Sequence, residues 1–147
     1  MDFRELILKR ESVRSYDASK PVPQEVLTRI LDAGRLAPSA ANKQPWRFIV
    51  VTSNEMLKKL HRAYERPWFQ NAPCVVAVVG KKQEAWVRGY DSYCSVETDA
   101  AIAMTHILLA AANEGVGSCW ISNFNPVILR EALGLNDDEV VYAITPL

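Results

Sequence analysis

The chain has 147 residues, in which 17 Lys and Arg balance 17 Asp and Glu, so its formal charge is zero and a broad nucleic-acid-binding surface is excluded. Hydrophobic residues at 49% and charged residues at 23% are the proportions of a folded domain, and a single domain over residues 1–147 is expected, large enough to need no metal or disulfide staple. Cys74, Cys94 and Cys119 are odd in number, widely spaced and without a C-x-x-C pair, which signals neither a disulfide framework nor a zinc site and fits a reducing cytoplasm. The N-terminus, MDFRELILKRES, lacks the apolar block of a secretory signal and reads as the start of the fold.

Asp2, with Glu5 three residues on, predicts a capped first helix ending near Arg10, its Phe3, Leu6 and Ile7 forming a stripe that faces the core. A turn-rich linker, SYDASKPVP, leads to Pro23 as the first residue of a second helix, with Val26, Leu27, Ile30 and Leu31 buried and a stop before Pro38. The polar loop PSAANKQP, Pro38 to Pro45, then opens into a strand, WRFIVVT. A third helix is predicted over Met56 to Tyr64, capped by Ser53 or Asn54, with His61 on its exposed side. Cys74 to Gly80, CVVAVVG, lacks polar alternation and reads as a strand covered on both faces.

Lys81 to Val96 is read as loop, with a helical turn around Glu84 to Arg88. Thr98 to Asn113 is the strongest helix, apolar over most of its circumference, ended by Gly115 and Gly117. Its apolar stretch from Ala100 to Ala112 is shorter than the ~20 residues of a bilayer crossing, so no membrane span is expected. SCWIS is read as a short strand, Asn125 and Pro126 as cap and first residue of a helix closed by Gly134, and EVVYAITP as the last strand. Strands alternating with helices and irregular connections support a layered α/β or α+β domain.

Three segments offer chemistry. Arg10, Ser12 and Arg14, in R-E-S-V-R, present two guanidinium forks and a hydroxyl to an anion, where a solvated cationic helix end is the plain alternative. In PSAANKQP the small residues let backbone N–H groups approach a planar ligand, and Ser39, Asn42 and Gln44 add neutral donors and acceptors; an ordinary helix-to-strand connection is the competing reading. G-V-G-S-C-W-I, Gly115 to Ile121, follows a helix and precedes a strand, the reverse of a dinucleotide fingerprint. A nucleophilic Cys119 assisted by His106 lacks any flanking motif, and no P-loop or H-E-x-x-H occurs. So little catalytic equipment implies that a cofactor carries the chemistry of any reaction.

Taken together, RESVRSY (Arg10 to Tyr16), APSAANKQPWRF (Ala37 to Phe48), APCVVAVV (Ala72 to Val79), the helix DAAIAMTHILLAA followed by GVGSCWI, and the closing VVYAITPL resemble the FMN-dependent nitroreductase family. The pieces are short, but their order and spacing cover nearly the whole chain. The resemblance implies an α+β sandwich, a mostly antiparallel sheet flanked by helices with a long apolar central helix, in an intertwined homodimer that holds FMN at the subunit interface. By similarity, Arg10, Ser12 and Arg14 bind FMN, and Pro38, Ser39, Ala40, Ala41, Asn42 and Gln44 reach the same flavin from the partner subunit. Gly117, Ser118, Cys119, Trp120 and Ile121 lie beside its ring and present backbone N–H groups to N5 and O4.

The implied reaction is ping-pong: NADH or NADPH gives a hydride to flavin N5 and leaves, and a small conjugated acceptor such as a nitroaromatic or quinone then takes the electrons. No side-chain acid or base is nominated, and no metal. Relatives of this kind usually continue beyond the strand that here ends at Leu147, so the chain is expected to lack their C-terminal extension. A weakly catalytic or non-catalytic flavin-binding homodimer is the alternative reading.

Overall fold

In the computed structural model, which describes residues 1–147, the uninterrupted apolar run becomes the central strand. Trp46–Val51 (β1), Val75–Lys81 (β2) and Glu139–Pro146 (β3) form an antiparallel sheet in the order β1-β2-β3. Phe48 lies opposite Val78 on one side of β2, and Ile144 opposite Ala77 on the other, with an irregularity in register between Val78 and Val79. Because side chains alternate along a strand, Val76 and Val78 join Trp46, Met104 and Ile107 in one apolar core, while Val75 and Ala77 join Leu60, Phe69 and Leu129 in a second core on the opposite face. A strand buried on both faces has no use for polar residues, which accounts for its composition.

The first face is covered by Gln24–Arg35 (α2) and Val96–Asn113 (α5), the second by Asn54–His61 (α3), Pro67–Gln70 (α4) and Pro126–Leu133 (α6). Gly34 brings α2 and α5 together: a Cβ there would stand 2.7 Å from Cγ1 of Ile107, so the helices cross at this distance only over glycine. At a rise of 1.5 Å per residue, the 18 residues of α5 span about 27 Å. The helix closes with a Schellman pair, Val116 N–H donating to Ala111 O at 2.8 Å and Gly115 N–H to Ala112 O at 3.2 Å. Asn125 caps α6 through its Oδ1, which accepts the Val127 and Ile128 amides. No helix is long and apolar enough to cross a membrane.

Phe3–Lys9 (α1) has the expected capping box, Glu5 N–H donating to Asp2 Oδ1 at 2.8 Å and Asp2 N–H to Glu5 Oε2 at 3.1 Å. Its apolar stripe does not face the core. No residue of α1 is buried; Phe3 and Ile7 are exposed and Leu6 is half-buried, because periodicity marks a face without saying what covers it. Pro23 occupies the N-cap of α2, one position earlier than expected. Leu27 and Ile30 are buried, and Val26 and Leu31 flank them.

Further departures are local. α3 ends at His61 and leaves Tyr64 outside it, and α5 begins at Val96 instead of Thr98. The turn predicted over Glu84 to Arg88 is a 3-10 turn at Lys82–Glu84, after which the chain folds back so that Val87 bridges Cys94. Arg88 forks onto Asp91 at 2.8 and 2.7 Å and lies 4.8 Å over the Tyr93 ring, chemistry that no helical period records. SCWIS forms two single bridges and no strand: Ser118 pairs with Ser12, and Ile121 with Ile144. His61 is half-buried, not exposed, its ring edge-on to Phe69 at 5.9 Å.

Candidate functional site

After Arg10 the backbone is extended, and it runs alongside the segment that leaves α5. Ser12 and Ser118 form a parallel bridge, with Val13 N–H donating to Ser118 O at 2.9 Å. The approach is close enough to require Gly117, where a Cβ would lie 3.0 Å from Val13 Cγ1 and 3.2 Å from Val13 Cβ. Two of the three motifs, far apart in sequence, are thereby brought side by side. Between them opens a cavity of about 270 Å³ whose lining includes Lys9, Arg10, Glu11, Val13, Gly117 and Ser118. Neither Arg10 nor Arg14 makes an ion pair, so both guanidinium groups are free for an anion.

From Cys119 to Ile121 only alternate amides are hydrogen-bonded within the chain. Cys119 N–H donates to Thr145 Oγ1 at 3.2 Å and Ile121 N–H to Ile144 O at 2.9 Å, while the Trp120 N–H between them has no acceptor within the chain. The Trp120 indole is 37% exposed and donates to Ser122 Oγ at 2.6 Å. Cys119 itself is buried, and its thiol contacts Trp120 O at 3.7 Å, the setting of an inert core cysteine. Tyr16, absent from the nominated residues although it belongs to the same motif, donates its hydroxyl to Val13 O at 3.0 Å and stacks on Trp68 at 6.2 Å. Burial pushes its phenol above the ordinary range, the nearby Cys119 adding to the rise and Arg14 opposing it.

The PSAANKQP loop lies at the other end of α5. Ala41, Asn42 and Gln44 adopt φ of 50°, 53° and 50°, the left-handed region that side chains other than glycine enter at a cost of about 1 kcal/mol or more each. Local bonds hold them there: Gln44 N–H donates to Ser39 Oγ at 2.9 Å, and Gln44 Nε2 to Asn42 Oδ1 at 2.8 Å. Ala40 N–H donates to Asp99 Oδ1 at 2.9 Å. Pro38, Asn42 and Gln44 are exposed and Ser39 half-buried, so the loop presents its polar groups outward. This loop and the Gly117 segment therefore sit at opposite ends of α5, and one chain does not bring all three motifs to one place.

None of these groups forms an acid–base or nucleophilic pair. Two unpaired guanidiniums and an unpartnered amide at one end of α5, and a loop of neutral donors and acceptors at the other, are groups of the kind that hold a ligand on an α+β fold. A model of the nitroreductase family matches residues 7–64 and 56–146. A relative from Archaeoglobus fulgidus, provisionally named NADH dehydrogenase/NAD(P)H nitroreductase, is 35% identical over 97% of this chain and 82% of its own length. The crystal structure of a nitroreductase family protein from Clostridium difficile superposes with a TM-score of 0.93 at 36% identity, covering 99% of this chain and 83% of that one. A second structure from that organism, an FMN-dependent nitroreductase, has a TM-score of 0.82 at 31% identity, covering 96% and 83%. The chain belongs to the nitroreductase family.

Proposed function

We propose that the protein is an FMN-dependent oxidoreductase that draws electrons from NADH or NADPH and passes them to a small conjugated acceptor, a nitroaromatic or a quinone. The carrying observation is the bridge between Ser12 and Ser118, which brings the Arg10–Arg14 segment alongside Gly117 and Ser118, with Arg10, Gly117 and Ser118 lining one cavity. These residues fit a flavin nucleotide. Its anionic tail suits free guanidinium groups and the Ser12 hydroxyl, and its ring edge of neutral donors and acceptors suits the unpartnered Trp120 amide. Bound FMN would supply reversible two-electron chemistry, accepting hydride equivalents from the nicotinamide and delivering them to the acceptor.

The chain's own task is then orientation and field. Arg10 and Arg14 would stabilise negative charge, and the Gly117–Ile121 backbone would hold the ring edge. Pro38, Ser39, Ala40, Ala41, Asn42 and Gln44 complete a second copy's site in this reading. The about 27 Å length of α5 and the exposed apolar side chains of α1, Phe3 at 69% and Ile7 at 47%, support a homodimer with the site at its interface.

The test is the visible spectrum of the protein after incubation with FMN and desalting, followed by anaerobic NADH. Retained flavin bands that bleach are expected. Folded protein that emerges colourless overturns the reading, and retained flavin that NADH leaves oxidised reduces it to flavin binding without turnover.

A further inference from the structure

Two carboxylates are buried in this chain. Glu139 is paired with Arg47, but Asp99, 1% exposed, has no cationic partner. Both of its oxygens are nevertheless occupied: Oδ1 accepts the Ala40 N–H at 2.9 Å, and Oδ2 accepts the Ser95 hydroxyl at 2.7 Å. It stands in the first turn of α5, where the helix dipole favours a negative charge. A carboxylate without a cationic partner is costly to bury, and here its bond to Ala40 is aimed at the residue immediately before the left-handed stretch.

We propose that Asp99 is the positioning residue of the cofactor loop: its carboxylate ties Ala40 to the first turn of α5 and so places Ala41, Asn42 and Gln44, shaped by their own local bonds, where they reach the flavin. The inference rests on the reading of that loop as part of the flavin site. The bonds within the loop, Gln44 to Ser39 and to Asn42, fix its internal shape, and its far end is held where Lys81 N–H donates to Pro45 O at 2.8 Å. The Asp99 bond holds the near end, at Ala40. A carboxylate suits the task because it only accepts, and both groups facing it are donors. An asparagine would keep the Ala40 bond through its oxygen while the Ser95 hydroxyl rotated to accept from the amide nitrogen.

The experiment compares wild type, Asp99→Ala, Asp99→Asn and Ser95→Ala by two readouts: FMN affinity from quenching of flavin fluorescence, and hydrogen exchange of the FMN-free proteins. Asp99→Ala is expected to weaken FMN binding about tenfold or more, the loss of one charge-assisted hydrogen bond. Its Ala40 and Gln44 amides should exchange faster while Ile107 and Leu108 keep wild-type protection, and Asp99→Asn should recover most of the affinity. Wild-type affinity in Asp99→Ala overturns the proposal, as does exchange that quickens equally in the loop and at Ile107. Should Asp99→Ala fail to fold, the other two variants decide: Asp99→Asn is expected near wild type and Ser95→Ala intermediate, and unchanged affinity and loop exchange in Ser95→Ala overturn it. Absence of FMN binding by wild type would instead overturn the function, while the exchange comparison still tests the anchor.

Discussion

The Arg47 guanidinium grips the Glu139 carboxylate with two hydrogen bonds, 2.5 Å from Nε and 3.0 Å from Nη2, joining the outer strands β1 and β3 across β2. Glu139 also accepts the Asn136 amide at 3.0 Å. The Arg47 bond first, and the Asn136 bond second, hold its carboxyl down from 4.5 to about 2. A carboxyl lowered in the folded state adds stability that is fully present above pH 4.5 and is lost as the pH falls from there toward about 2. Arg47→Ala should therefore destabilise the protein by about 1 to 3 kcal/mol at neutral pH, kept modest by the 41% exposure of Arg47. The gap in melting temperature between variant and wild type should narrow in acid; a gap independent of pH would contradict this account.

His61 acts in the same direction at higher pH. Its Nε2 is buried without a partner, and burial lowers its pKa below 6.5. The unfolded chain then binds a proton more readily than the folded one, so stability declines as the pH drops through 6.5. Replacing the ring in His61→Phe should flatten the dependence of melting temperature on pH between about pH 7 and pH 5. An unchanged slope would assign that dependence to other groups.

Gly117→Ala places a methyl group against Val13, 3.0 Å from its Cγ1. The Arg10–Arg14 segment must shift away from Ser118, and FMN affinity should fall several-fold more than stability does. The second-site change Val13→Ala removes the two Cγ contacts but keeps the Cβ at 3.2 Å, and should restore part of the binding. A double variant no better than Gly117→Ala would place the damage elsewhere.

Arg14→Ala should weaken FMN binding by about 1 to 3 kcal/mol, the range for a hydrogen bond to a charged group, while melting of the FMN-free protein stays within about 0.5 kcal/mol of wild type. Equilibrium titration and thermal melting separate the two quantities. Equal FMN affinity in both proteins would remove Arg14 from the site.

Local rules were legible wherever one residue satisfies its own neighbourhood. Asp2 with Glu5, Asn125 with Pro126, and the double-faced β2 all follow from caps and patterning alone. What escaped depends on a partner supplied from afar. Phe3 and Ile7 mark a face of α1 that no part of this chain covers; His61 is enclosed because the four-residue α4 brings Phe69 against it; and Ser118 makes a single bridge where a strand would need several. The candidate site divides in the same way. Its residue types were readable as binding groups, but the adjacency of Ser12 to Ser118 and the anchoring of Ala40 by Asp99 are long-range facts. An acid at 99 within an apolar helix was the signal available for the second.

The separation of the two motif groups along α5 has a genetic reading. In the homodimer proposed above, each cleft takes Arg14 from one chain and Asn42 from the other, so Arg14→Ala and Asn42→Ala are lesions in different halves of every cleft. Mixed dimers of the two variants would carry one doubly damaged cleft and one intact cleft. Two chains that each bind flavin weakly alone would then restore up to half of the wild-type flavin sites when co-expressed, a pattern of intragenic complementation that a site contained within one chain does not produce.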